Sequence, residues 1–159
     1  MPEKRDETDN PIKLDDEFLN AHSSPYLNDG YKRDRFLFKN VTVAPNQIHA
    51  ELNLEASFAS PRNGEPHLSL NTALIMLSQL GIFYVGWDLN YDKKIGETYM
   101  RHIDIKCARP ILSQKIHIDV TIKRKSTFDS NVLYSADFSF CENLFTGKTT
   151  IVQAARSPT

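Results

Sequence analysis

The sequence predicts an α+β domain, an antiparallel sheet of about six strands wrapped around one long central helix. Two periodicities and one set of connections carry that expectation. Residues 115–125 alternate strictly: Ile116, Ile118, Val120 and Ile122 point one way, and Lys115, His117, Asp119, Thr121 and Lys123 the other. That is the period of a strand with one face in a core. In residues 67–87, Leu70, Ala73, Leu74, Leu77 and Leu80 recur at helical spacing, while Ile75, Met76, Ile82 and Phe83 fill the other sides. A helix that is apolar nearly all round is buried on more than one side. The short connections Phe128-Asp129-Ser130 and Glu142-Asn143 suit antiparallel hairpins.

Each element follows in order. Arg35–Val43 (RFLFKNVTV) and Gln47–Phe58 (QIHAELNLEASF) are rich in β-branched and aromatic residues and are separated by the turn signal Ala-Pro-Asn. Within the second run Ile48, Ala50, Leu52, Leu54 and Ala56 alternate with His49, Glu51, Asn53, Glu55 and Ser57. A breaker-dense loop, Ala59–Pro66, then leads into the helix, whose C-terminal end is left open by Gly81 and Gly86. Four more strands are expected at Glu97–Cys107, Lys115–Lys125, Asn131–Cys141 and Phe145–Ala154.

At 159 residues the chain is one domain with a tail, and its net charge of −1 conceals an uneven split. Residues 1–30 carry −5 and residues 31–159 carry +4. The first stretch is expected to be an acidic, partly disordered tail or strap, with Ile12, Leu14 and Phe18 able to anchor a short helical turn. The remainder, 31–159, is expected to be the folded domain. Near-neutral charge argues against a dedicated nucleic-acid binder. The apolar stretch Leu74–Trp87, interrupted by Ser78 and Gln79, reads as too short to span a bilayer. No apolar signal-peptide core follows Met1, so a cytoplasmic setting is expected. In such a setting Cys107 and Cys141, which lack metal spacing, are expected to be buried free thiols.

The order of two strands, one buried helix and four strands resembles the hotdog fold, in which the helix serves as the second layer for a curled sheet. A closer resemblance lies at the helix. His67-Leu68-Ser69, followed twelve residues after the histidine by Gln79-Leu80, is similar to the FcoT-type long-chain acyl-CoA thioesterases, which have His-Phe-Asn and Asn-Gln-Leu at that separation. Ala108-Arg109-Pro110 resembles a basic-residue–Pro step of the same family. The chain departs from that pattern at Ser69 and Ser78, where the family has asparagines. It also departs near Ser60–Pro61, where a family tyrosine has no counterpart; an earlier one corresponds to Tyr31 only with a gap. The resemblance implies a thioester hydrolase acting on an acyl-CoA or an acyl carrier protein, without a cofactor, as at least a homodimer. A dehydratase or other acyl-modifying enzyme of a lipid or polyketide pathway, or a silent acyl-thioester binding module, stands as the alternative.

The chemistry is expected at the start of the helix, where backbone N–H groups and a partial positive charge suit an oxygen that becomes anionic. His67 and Ser69 are candidates to hydrogen-bond the acyl group or a water there, while Ser69 or Asn71 also suits an N-cap. Ser78 and Gln79 need partners, which a strand, a second copy or the acyl site can supply; Gln79 can position a water or a carbonyl but cannot act as a base. No carboxylate stands between His67 and Trp87, so water attack without a helix carboxylate is expected. Glycine-rich phosphate loops, zinc spacings and nucleophile elbows are all missing from the sequence. Arg101, Lys106, Arg109 and the run Lys123-Arg124-Lys125 are the bases available to an acidic carrier. Tyr84, Phe83 and Met76 are candidate walls for the acyl chain, and core packing accounts for them equally well.

Overall fold

The computed structural model describes residues 34–56, 67–92 and 94–155. The acidic tail, the turn expected at Ile12–Phe18, Tyr31 and the loop Ala59–Pro66 lie outside the described residues. Six strands form where alternation predicts them: β1 (Arg35–Ala44), β2 (Gln47–Ala56), β3 (Thr98–Cys107), β4 (Lys115–Phe128), β5 (Asn131–Phe140) and β6 (Phe145–Gln153). One helix, α1 (Leu70–Asp88), lies between β2 and β3 in the chain. The strands form a single sheet in the order β1-β2-β4-β5-β6-β3, every neighbouring pair antiparallel.

Alternation sets which face of the sheet is apolar, and the helix covers that face. Ile48, Ala50, Leu52 and Leu54 of β2, Ile116, Ile118, Val120 and Ile122 of β4, and Tyr134, Ala136, Phe138 and Phe140 of β5 are all buried. Opposite them α1 buries Ala73, Met76, Leu77, Leu80, Tyr84 and Val85. Fully burying one such large aliphatic side chain contributes about 1.5–3 kcal/mol, so this shared layer is the main source of the fold's stability. Irregularities at Lys39, Arg101 and Lys123 interrupt the register of β1, β3 and β4. Such bulges bend a strand and raise its twist, which helps a flat ladder curl over a helix.

The turns follow their chemistry. Asp129 and Ser130 both take positive φ, 46° and 64°, as a two-residue hairpin demands, and Asn46 closes the β1–β2 turn at 65°. Helix α1 runs through Gly81 and Gly86 and stops instead at Asn90, whose φ is 54°. There the Tyr91 N–H donates to the Gly86 carbonyl (2.8 Å) and the Asn90 N–H to the Trp87 carbonyl (3.2 Å), the paired bonds that close a helix around a left-handed residue. Gly81 is present for packing: a Cβ there would stand 2.8 Å from Ile151 Cδ1 of β6. At Gly147 the constraint is harder, since a Cβ would meet the Asp104 carbonyl oxygen of β3 at 1.9 Å.

Two expectations are corrected. Cys107 is exposed, because it is the last residue of an edge strand, while Cys141 is half-buried and its thiol is pushed up by burial. The apolar segment is also longer than the stretch Leu74–Trp87, since α1 is a 19-residue helix with enough length and apolarity to cross a bilayer. Here it packs as the core helix of the sheet, with the apolar residues Leu70, Ile75, Phe83 and Trp87 left exposed.

Candidate functional site

The N-terminus of α1 is built by residues from three parts of the chain. Ser69 is the N-cap: its backbone is extended (φ −72°, ψ 150°) and its Oγ accepts the Thr72 N–H at 3.1 Å. With Thr72 satisfied in this way, the N–H groups of Leu70 and Asn71 are the first-turn donors that helix geometry leaves without a carbonyl in their own helix. Just upstream, the Leu68 N–H donates to the Ile111 carbonyl (2.9 Å), tying the helix entry to the segment that leaves β3. That segment is anchored in turn by the Ala108 N–H on the Leu144 carbonyl (2.8 Å).

Between these tethered segments lies a pocket of about 490 Å³, within the usual range for small-molecule sites. His67, Ser69, Asn71 and Arg109 line it together with Leu70, Pro110 and Phe145. Four of the nine residues singled out from the sequence therefore share one pocket: His67, Ser69 and Asn71 from the helix start, and Arg109 from the set of bases expected to meet an acidic carrier. The mixture is amphipathic. Apolar walls adjoin an imidazole, an amide, the helix N–H groups and a guanidinium.

The other five are placed elsewhere in the single chain. Ser78 faces a cavity of about 360 Å³ shared with Thr98, Tyr99 and Met100, and Gln79 a recess of about 530 Å³ shared with Phe83, Trp87 and Lys94. Arg101 lines a depression with His102 and Arg124, and Lys106 is exposed on β3 in register with Thr146. Tyr84 is in the core, 3% exposed, with its hydroxyl accepting the Asn46 N–H at 3.1 Å. Of the candidate acyl walls, Met76 is wholly buried and Phe83 is exposed.

One contributor to the helix start carries no sequence signal. Asp34, immediately before β1, accepts from Ser69 Oγ at 3.1 Å and from Thr72 Oγ1 at the same carboxylate oxygen. The helix itself has no acid in its first turn, so Asp34 brings a negative charge to the positive end of the dipole. Nothing local marks this residue, which meets its partners only through the tertiary fold.

At the other end of α1 an acid is held by two donors. Asp88 Oδ2 accepts from Lys125 Nζ at 2.6 Å and from the Tyr134 hydroxyl at 2.7 Å. Burial alone pushes the Asp88 carboxyl up, but those two hydrogen bonds and the Lys125 charge outweigh it and hold it below its ordinary value of 3.8. Tyr134 moves the opposite way, raised by burial, by donating to Asp88 and by the Asp88 charge. Tyr84 stands edge-on to Tyr134 with centroids 5.9 Å apart, and Trp87 lies 5.8 Å from Tyr84.

A single antiparallel sheet in this order, curled around one helix, is the hotdog fold. The chain matches no family model and no curated protein sequence. It is similar to solved structures. A thioesterase-superfamily protein from Shewanella loihica superposes with a TM-score of 0.52 at 10% identity, covering 73% of this chain and 90% of that one. The dehydratase heterocomplex ApeI:P from Xenorhabdus doucetiae gives 0.52 at 17% identity, covering 76% and 84%. A phenylacetic acid degradation-related protein from Ralstonia eutropha gives 0.51 at 8% identity, covering 86% and 97%. Likeness at these identities establishes the fold.

Proposed function

We propose that this chain is an acyl-thioesterase that hydrolyses a fatty acyl-CoA or acyl-carrier-protein thioester in the pocket at the N-terminus of α1. The observation that carries the reading is the convergence of His67, Ser69, Asn71 and Arg109 on that pocket. The Leu70 and Asn71 N–H groups and the positive end of the dipole receive the thioester oxygen as it becomes an oxyanion. His67 and the Asn71 side chain orient the attacking water. Asp34 is engaged by Ser69 and Thr72, so it braces the cap rather than serving as the base. Hydrolysis therefore proceeds by oriented water. The long-chain acyl-CoA class is the narrower proposal, supported by the His67-Leu68-Ser69 and Gln79-Leu80 spacing.

Arg109 at the pocket, with Lys106 and Arg101 along β3, receives the phosphates of CoA or an acidic carrier. The working unit is at least a homodimer. Among the described residues strand β3 ends the sheet with one edge unpaired, Tyr99 on it is exposed, and α1 leaves Ile75, Phe83 and Trp87 exposed. Ser78 and Gln79 belong to the surface that the second copy covers.

The test is release of free thiol from a panel of acyl-CoAs and acyl carrier proteins. Saturable thiol release supports the proposal. Saturable binding without thiol release would make this a silent binding module, and interconversion of crotonyl and hydroxyacyl thioesters would make it a dehydratase.

A further inference from the structure

On the face of the sheet turned away from α1, β2 and β4 carry matching pairs two residues apart: His49 and Glu51, His117 and Asp119. Antiparallel register sets His49 across from Asp119 and Glu51 across from His117, so four side chains form a square on adjacent strands. The two imidazoles stack with centroids 6.5 Å apart and planes 24° from parallel. His49 Nδ1 lies 2.8 Å from Asp119 Oδ1, a geometry in which Nδ1–H donates to the carboxylate and Nε2 is the ring nitrogen left to bind a metal ion. That Nε2 is 4.0 Å from Glu51 Oε1, and His117 Nδ1 is 3.8 Å from the same oxygen. One ligand atom from each of His49, Glu51 and His117 falls within 4.8 Å of the others.

We propose that His49, Glu51 and His117 form a binding site for a divalent transition-metal ion of the zinc class, with Asp119 orienting His49. Ligand atoms about 2.0–2.2 Å from a tetrahedral ion stand roughly 3.3–3.5 Å apart. The two separations to Glu51 close to that by about half an ångström, and the one between the imidazoles, within 4.8 Å, by up to about 1.4 Å of side-chain rotation on positions that are all partly exposed. Two imidazoles select zinc, nickel or copper over calcium and magnesium, which prefer all-oxygen sets. Two carboxylates match the charge of a divalent ion. The register neighbours Thr42, Asn40 and Ser139 are uncharged; the bases on the neighbouring positions are the bulged Lys39 of β1, next to the residue that faces Glu51, and Lys115 of β4. Cysteine spacing in the sequence does not reveal this set, because its ligands come from two strands. The site would tie β2 to β4, the one ladder through which the β1–β2 hairpin joins the sheet. It is independent of the pocket at the helix start.

Titrating the full, tag-free chain with zinc chloride by calorimetry, and with cobalt(II) by visible absorption, tests the site. One saturable equivalent is expected, with a visible cobalt band and a rise in Tm on zinc addition. His49→Gln and His117→Gln each weaken zinc by about tenfold or more, Glu51→Gln does the same, and Asp119→Asn has a smaller effect. These positions are partly exposed, so circular dichroism of each variant should match the parent. Absence of saturable binding overturns the proposal. So does binding that survives intact in the His49→Gln/His117→Gln double variant, or calcium competing on equal terms.

Discussion

The two ends of α1 solve the same electrostatic problem with opposite consequences. The helix has no acid in its first turn and no base in its last, so neither end of its dipole is met from within. Asp34 arrives from the start of β1 to meet the positive end, and Lys125 from β4 to meet the negative one. At the C-terminal end Asp88, itself an acid at the negative pole, accepts from Lys125 and Tyr134, and Tyr84 stands edge-on to Tyr134. At the N-terminal end Asp34 accepts from Ser69 and Thr72, while Ser69 and Asn71 also line the pocket that Arg109 borders. One end is a clamp and the other a socket. A helix needs both ends complemented, but only an end with donors left over can receive a ligand.

The largest expected effect breaks the clamp. Tyr134→Ala removes a fully buried ring and should cost about 3–5 kcal/mol in denaturant unfolding, while thiol release per folded molecule stays near the parent value. A matching loss of turnover in the folded fraction would mean that the two ends are coupled. Next comes the socket. His67→Ala should lower thiol release about 100-fold, the low end for a residue that handles the reacting water, with Tm nearly unchanged. Unaltered turnover in folded protein would remove His67 from the mechanism.

Tyr134→Phe keeps the ring and deletes one hydrogen bond to a charged acceptor, so a loss of about 1.5–3 kcal/mol is expected by the same unfolding assay. Ser69→Ala sharpens the comparison further, because Ser69 is both cap and candidate site residue. As a cap alone it is worth about 1 kcal/mol, with catalysis retained. A fall in turnover beyond that assigns it to the chemistry. The smallest effect is in pH. Because the Asp88 carboxyl is lowered on folding, its contribution is complete above its unfolded value of 3.8 and fades as pH falls through the folded value. The stability gap between the parent and Asp88→Asn should therefore hold at neutral pH and narrow below about pH 4. A gap that ignores acid would show that the Lys125 pairing contributes nothing to stability.

How much of this could be read from the sequence depends on the range of the interaction. Alternation along Lys115–Lys125 and helical spacing from Leu70 to Leu80 are local signals, and both elements form as expected. Boundaries were less legible. Strand β4 runs on to Phe128, because a tight turn at Asp129-Ser130 lets the ladder continue through residues with no apolar alternation. The helix ends at Asn90 rather than at a glycine, since Gly81 answers to Ile151 and Gly86 has open space around it. The face of β3 on which His102 falls is not legible from alternation, because the irregularity at Arg101 shifts the pattern midway. The socket was partly legible, because His67, Ser69 and Asn71 lie together in sequence and Arg109 is next to a proline step. Asp34 and the Asp88–Lys125–Tyr134 clamp were not, since each joins elements far apart in the chain.

The single tryptophan, Trp87, sits where these regions meet the outside: 46% exposed, beside the buried Tyr84 and one residue from Asp88. The chain thus carries its own optical reporter at one defined spot. Emission that moves to longer wavelength on dilution would follow the departure of a covering copy. Emission that ignores dilution yet shifts when the clamp is loosened by Tyr134→Phe would report on the helix end alone.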